Sequence, residues 1–198
     1  MITLPYLLSA SQLLGEEFYS HQAIEVARGC LGKILVHGET AGRIVETEAY
    51  LGVDDLAAHS SRGITPRTKV IFGPPGHAYV YFIYGMHECL NFVCEPEGQA
   101  GCVLIRALEP LAGLDVMYSR RGSIRKPEGL ASGPGKLTQA MGITRRLNGS
   151  SLITGPMTVR RLNDEPRIDP KSTPRIGITK NTDWPLRFVI ARSRFVSK

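Results

Sequence analysis

Cysteine is scarce. Only Cys30, Cys89, Cys94 and Cys102 occur in 198 residues. None forms a C-x-x-C pair, and no Cys/His cluster has the spacing of a zinc finger. A chain this long and apolar also does without disulfide staples. Reduced, mostly buried thiols are expected, with no metal and no cofactor. No apolar run approaches the ~20 residues of a spanning helix. The stretch from Met1 to Leu14 has no Lys or Arg ahead of its apolar residues, and Pro5 interrupts it, unlike a secretory signal. The expectation is a soluble cytoplasmic protein with no membrane partner. Internal repeats, low-complexity blocks and long linkers are missing. So is G-x-S-x-G, the setting of a serine nucleophile.

Hydrophobic residues make up 42% and charged residues 21%, which suits a folded globular chain. Its length fits one domain over 1–198 with a real core. Lys and Arg number 24 against 18 Asp and Glu, a formal charge of +6. That balance permits a polyanionic partner without requiring one.

Ser20 can cap a helix with Ile24, Ala27 and Leu31 on one face, stopped by Gly32. Lys33–His37 and Arg43–Tyr50 read as strands around a Gly38–Gly42 turn. Asp54 can cap a short helix carrying Leu56, Ala57 and Ala58. Gly73-Pro74-Pro75-Gly76 is a turn into a strand, His77–Tyr84. Cys89–Cys94 and Cys102–Leu108 read as paired strands joined by the Glu95–Gly101 loop. Helices are expected over Leu111–Tyr118 and after Gly135, and strands near Ile176–Thr179 and Leu186–Ala191. The order has no βαβ rhythm. It predicts an α+β fold with a largely antiparallel, curved, open-barrel-like sheet and peripheral helices.

Strand alternation puts Ile44, Glu46, Glu48 and Tyr50 on one face. Two carboxylates beside an aromatic make a poor core, because burying a charge is costly unless it is paired. Such a face is either a solvated, salt-bridged surface or a cleft wall with a general base beside a stacking ring. Tyr79 and Tyr81 also share a face, and Tyr84 ends that strand before Gly85. A tyrosine stripe packs a sheet or stacks bases, the latter worth ~1–3 kcal/mol per base. Arg106 interrupts the apolar strand Val103–Leu108. It needs an acidic partner such as Glu48, a phosphate, or a route to solvent. Ser132-Gly133-Pro134-Gly135-Lys136-Leu137 opens a helix. It is not a nucleotide-hydrolysing loop, since Leu130 stands where the first glycine is needed and Leu137 follows the lysine. The backbone N–H groups near Gly133 and Gly135, with Lys136, could still hold a phosphate, or the segment is a simple turn.

Taken together these segments resemble the alkyladenine (3-methyladenine) DNA glycosylase family of the mammalian type. The resemblance rests on Gly42–Gly52, Ala57-Ala58-His59, Tyr79–Met86, Val103–Pro110, Ser132–Leu137 and Trp184–Phe188, in that order, and covers nearly the whole chain. The long N-terminal extension of the mammalian members is absent, as in a compact bacterial version. The chain departs from the mammalian type at His87 and Glu88, where those members carry aromatics, and in the length of Glu95–Gly101. These positions bear on lesion preference and duplex grip.

The resemblance implies a monofunctional base-excision-repair enzyme, a monomer acting on double-stranded DNA. It would hydrolyse 3-methyladenine, 7-methylguanine, hypoxanthine or ethenoadenine from the sugar. By the same resemblance Glu48 is the general base and Arg106 holds the water and the carboxylate. Tyr50, His59 and Tyr81 sandwich the flipped base, and Asn91 obstructs the 2-amino group of guanine. Tyr84 fills the vacated stack from a hairpin in the minor groove. No lysine stands out as a Schiff-base nucleophile, so hydrolysis without strand cleavage is expected. Two alternatives remain open: a non-catalytic nucleic-acid-binding domain, and an enzyme acting on free nucleosides.

Overall fold

The computed structural model describes residues 3–83 and 85–197. Its strands are β1 (Ser11–Leu13), β2 (Ile34–His37), β3 (Thr40–Tyr50), β4 (Ala78–Ile83), β5 (His87–Val93), β6 (Cys102–Ala112), β7 (Met157–Leu162), β8 (Pro170–Thr173) and β9 (Arg187–Ile190). The helices are α1 (Leu4–Ser9), α2 (Glu16–Tyr19), α3 (Ala23–Cys30), α4 (Leu114–Arg121) and α5 (Pro134–Met141). The nine strands form one sheet in the order β1-β7-β2-β3-β6-β5-β4, with β9 also pairing β3 and β8 pairing β9. Every pairing is antiparallel. The expected α+β class and peripheral helices are present. The sheet is open, ending at β1 and β4, and does not close into a barrel.

The spine is the long pair β3–β6. On its far edge β3 carries β2 along its first half and β9 along its second. One face of this spine packs on the helices. Ile44, Ala49, Leu90, Phe92, Ile105 and Leu108 meet Val26, Ala27 and Cys30 of α3 and Leu137, Ala140 and Met141 of α5. Each large side chain buried there contributes about 1.5–3 kcal/mol. Thr47 satisfies its hydroxyl by donating to the Ala27 carbonyl, 2.8 Å away. The other face carries a separate cluster around Ile71, Tyr79, Val93 and Cys102, roofed by the segment 51–77. All four cysteines are free and buried.

The β3–β6 ladder shifts register three times, once between Ala41 and Gly42 and twice beside the carboxylates. Ile44 pairs Leu108, Glu46 pairs Ala107 and Thr47 pairs Ile105. Val45 is therefore an extra residue on β3, and Arg106 an extra residue on β6. Bulges of this kind re-aim side chains. Here they correct the simple alternation read from the sequence. Ile44 packs into the helical core and does not share a face with Glu46 and Glu48, while Val45 packs with Ala107 and Phe195.

Other departures are local. The β2–β3 turn is two residues, with His37 opposite Thr40 and Gly38 at φ 56°. No helix forms at Leu56–Ala58; a 3-10 turn follows at His59–Arg62. Leu111 belongs to β6, and the helix after it begins at Leu114. Ile176–Thr179 is not a strand; β8 lies earlier, at Pro170–Thr173. Arg175 and Ile176 instead turn their polar groups toward β3, as described below.

Candidate active site

On the face away from the helices lies a cavity of about 400 Å³. Tyr50 from β3, His59 from the roof, Tyr81 from β4, Asn91 from β5 and Arg106 from β6 all line it. Residues as far apart in sequence as Tyr50 and Arg106 thus converge because β3, β6, β5 and β4 are neighbours in the sheet. Glu48 lies immediately behind this wall, with no exposed surface.

Both oxygens of Glu48 are engaged. Oε1 accepts the Ile176 backbone N–H at 2.8 Å and forms an ion pair with Arg106 Nη1 at 3.2 Å. Oε2 accepts the Tyr50 hydroxyl at 3.0 Å. Tyr50, Arg106 and Ile176 all line the cavity. Among the described residues Oε2 accepts no other hydrogen bond, which leaves lone-pair capacity on that oxygen. Burial pushes the proton affinity of Glu48 above the ordinary carboxylate range; Arg106, the Ile176 amide and Tyr50 offset part of that push.

Glu46 shares this face and has the opposite character. Its Oε1 accepts from Arg106 Nε at 2.9 Å, Arg187 Nε at 2.7 Å and the Ser197 hydroxyl at 2.8 Å. The Ser197 backbone N–H reaches Oε2 at 2.6 Å. Burial pulls its pKa upward, but these donors outweigh that and hold it below the usual range. Arg106 therefore bridges two carboxylates, and the alternative that it escapes to solvent is excluded: it is 7% exposed. Glu46 thus accepts four hydrogen bonds, three of them on Oε1.

The aromatic walls are fixed by one another. The His59 and Tyr81 rings meet edge to face at 4.6 Å between centroids, and Tyr79 lies 5.4 Å from Tyr81. His59 Nδ1 is 3.0 Å from the Tyr79 hydroxyl. Burial, with Arg67 and Arg62 nearby, pulls the His59 pKa down to about 4, so the ring is neutral at pH 7. Asn91 donates from Nδ2 to the Tyr79 carbonyl at 3.2 Å, which fixes its amide in the cavity floor. Burial raises the Tyr50 and Tyr81 phenols far above their ordinary values, so both stay neutral hydrogen-bond donors.

Tyr84 lies outside the described residues. It falls between β4 and β5, which form a hairpin flanked by exposed Phe82 and Met86. Gly133 is the residue before α5, at φ 146°. Gly135 lies against His87, whose ring a Cβ at that position would meet at 2.9 Å. Lys136 is exposed. The start of α5 thus abuts the hairpin, and Pro134 reaches the cavity rim.

The sequence reading passed over three participants: Asp55, Arg175 and Ile176. Arg175 forks onto Asp55 in a pair with no exposed side-chain surface. Ile176 acts through its backbone, which no residue pattern reveals.

The described residues contain no helix long and apolar enough to cross a membrane. The family model for methylpurine-DNA glycosylase (MPG) matches residues 17–194. A protein of Methanoculleus marisnigri is 56% identical over 187 residues, covering 91% of this chain and 96% of its own. One from Koribacter versatilis is 50% identical, covering 93% and 92%. One from Rhodopseudomonas palustris is 52% identical, covering 94% and 88%. All three are provisionally named 3-methyladenine DNA glycosylases.

Proposed function

The chain belongs to the methylpurine-DNA glycosylase family, and from that premise we propose a base-excision-repair hydrolase whose chemistry centres on Glu48. It removes 3-methyladenine and related damaged purines from double-stranded DNA by cleaving the N-glycosyl bond. One observation carries the assignment of the base. Glu48 is a fully buried carboxylate of raised proton affinity, held at the wall of an aromatic cavity by three residues that line it.

A base within a duplex hides its glycosidic bond and must be extruded, at a few kcal/mol. The extruded purine enters between Tyr50 on one side and His59 with Tyr81 on the other. Tyr84, which follows β4 in the sequence, enters the minor groove and replaces the lost stacking. Asn91 occupies the floor where the 2-amino group of guanine would sit. The start of α5, at Gly133, Gly135 and Lys136, supports a backbone phosphate. A water hydrogen-bonded to Oε2 of Glu48 attacks C1′. Its oxygen forms the new bond, its proton passes to Glu48, and the glycosidic electron pair leaves with the base. A methylated, cationic purine leaves as a neutral base and needs no protonation. Arg106 favours the ionised form of Glu48 before the attack and keeps the carboxylate oriented. The enzyme acts as a monomeric single domain and leaves the strand intact.

The raised proton affinity of Glu48 suits this role, since a base works best when its pKa approaches the working pH. The test is a single-turnover assay on duplexes carrying hypoxanthine or methylated purines, wild type beside Glu48→Gln. Loss of about 10²–10⁴-fold in base release, with duplex affinity retained, is the expected result. Full activity in Glu48→Gln would remove Glu48 from the chemistry.

A further inference from the structure

Behind the cavity wall lies a second buried ion pair that the reaction does not touch. Arg175 donates from Nη2 to Asp55 Oδ1 at 2.9 Å and from Nη1 to Asp55 Oδ2 and to the Ala49 carbonyl at 3.0 Å. Asp55 uses the same two oxygens to accept the Leu51 and Ala57 backbone N–H groups, at 3.2 and 3.1 Å. The guanidinium carbon stands 4.6 Å from the centroid of the Tyr50 ring. Tyr50 lines the cavity and Arg175 does not, so the guanidinium covers the ring from behind.

The next residue links this pair to the base. Ile176 donates its N–H to Glu48, and residues 176–180 form one side of the cavity. This segment has no regular structure of its own between Thr173, the end of β8, and Arg187, the start of β9. Among the described residues its hydrogen bonds to β3 are those from Arg175 to the Ala49 carbonyl, from the Ile176 amide to Glu48 and from Ala49 N–H to the Leu186 carbonyl. Fixing one peptide in such a segment costs conformational entropy, and here a buried bidentate pair supplies the restraint. Arginine suits the position because its planar fork binds a carboxylate and stacks on a ring at once.

We infer that Asp55 and Arg175 are positioning residues for the glycosylase reaction, acting together to hold the Ile176 amide on Glu48 and the Tyr50 ring against the bound base. The inference rests on the role of Glu48 given above. Loosening the clamp has two effects that a loss of general stability does not produce. The Ile176 N–H withdraws from Glu48, so the carboxylate takes up a proton at higher pH. The Tyr50 wall tilts, so the chemical step suffers more than duplex binding. The other groups facing Glu48 are Arg106 from β6, Tyr50 and Glu46 from β3, Cys89 from β5 and the Arg175 charge itself. The test variant therefore keeps the charge at 175.

Arg175→Lys retains a buried cation opposite Asp55 and so retains the fold, while the fork and the flat face on Tyr50 are lost. Single-turnover base release is measured from pH 5 to 9 for wild type, Arg175→Lys, Asp55→Asn and Glu48→Gln, with thermal unfolding and duplex affinity in parallel. In Arg175→Lys the maximal rate should fall about 10–100-fold, the order expected for one lost charge-assisted hydrogen bond. Its acid limb should move to higher pH, with duplex affinity within about threefold of wild type. Asp55→Asn should show the larger loss. A folded Arg175→Lys with wild-type rate and acid limb, beside an inactive Glu48→Gln, would overturn the clamp and leave the role of Glu48 standing. An active Glu48→Gln would overturn that role instead.

Discussion

Glu46 and Glu48 stand two residues apart on β3, both without exposed surface, and both meet the same Arg106. They titrate in opposite directions. Around Glu46, Arg106, Arg187 and Ser197 supply donors to both oxygens, and the fold favours the anion. Around Glu48 the donors are fewer, and burial dominates. The same residue type on the same strand is thus held as the anion at one position and drawn toward the neutral acid at the other, which suits the proton acceptor proposed for Glu48. Counting donors against desolvation separates the two roles, because that balance decides which protonation state the fold favours.

The largest contrast expected between the two is in stability. Glu46→Gln strips the anion from the buried Arg106 and the half-buried Arg187, and breaking a buried pair from one side costs about 3–5 kcal/mol. Thermal unfolding near neutral pH should show a drop of roughly 6–20 °C, at about 2–4 °C per kcal/mol for a chain of this size. Glu48→Gln should unfold no earlier than wild type, because it removes an anion that burial disfavours. Equal destabilisation by the two variants would erase the distinction.

Acid sharpens the contrast. Glu46, with its lowered folded pKa, contributes stability present above its unfolded value and lost as pH falls through the folded one. Glu48, with its raised folded pKa, contributes the reverse: stability present below the unfolded value and lost as pH rises through the folded one. The deficit of Glu46→Gln should therefore shrink only in strong acid. Any advantage of Glu48→Gln should vanish at milder acidity, where the wild-type Glu48 is already protonated. The acid limb of wild-type base release should lie above the ordinary carboxylate range. A limb at or below that range would show that the donors around Glu48 outweigh its burial.

The smallest effect is expected from Tyr50→Phe. It keeps the ring over the cavity and removes the one described donor to Oε2. A hydrogen bond to a charged acceptor is worth about 1.5–3 kcal/mol, so the acid limb should move up while duplex affinity changes little. An unmoved limb would show that Tyr50 serves as a wall alone.

Much of the site was legible in the sequence. Glu48 stood out as a carboxylate beside the Tyr50 ring on a strand face, Tyr81 as part of a tyrosine stripe, and Arg106 as a charge within an apolar strand. His59 and Asn91 entered only through the family resemblance, and both prove to line the same cavity. The strands Lys33–His37, Arg43–Tyr50, Cys89–Cys94 and Cys102–Leu108 lie within a few residues of β2, β3, β5 and β6. The expected strand at Ile176–Thr179 failed because its apolar residues line a cavity and join no ladder. β7 was missed because its pattern, Met157–Leu162, carries two arginines amid Pro- and Arg-rich sequence.

The sequence by itself determined the class of fold, the strands that carry the site and the residue types able to do the chemistry. Those follow from local periodicity and from the cost of burying charge. Tertiary structure alone decided the rest. Paired bulges at Val45 and Arg106 turn both carboxylates onto one arginine. Crossing contacts from Arg187 and Ser197 make Glu46 an anchor. A backbone N–H at Ile176, held by Arg175 and Asp55, completes the environment of Glu48. Register shifts, backbone donors and burial all depend on which distant segments meet, and no window along the chain contains that information.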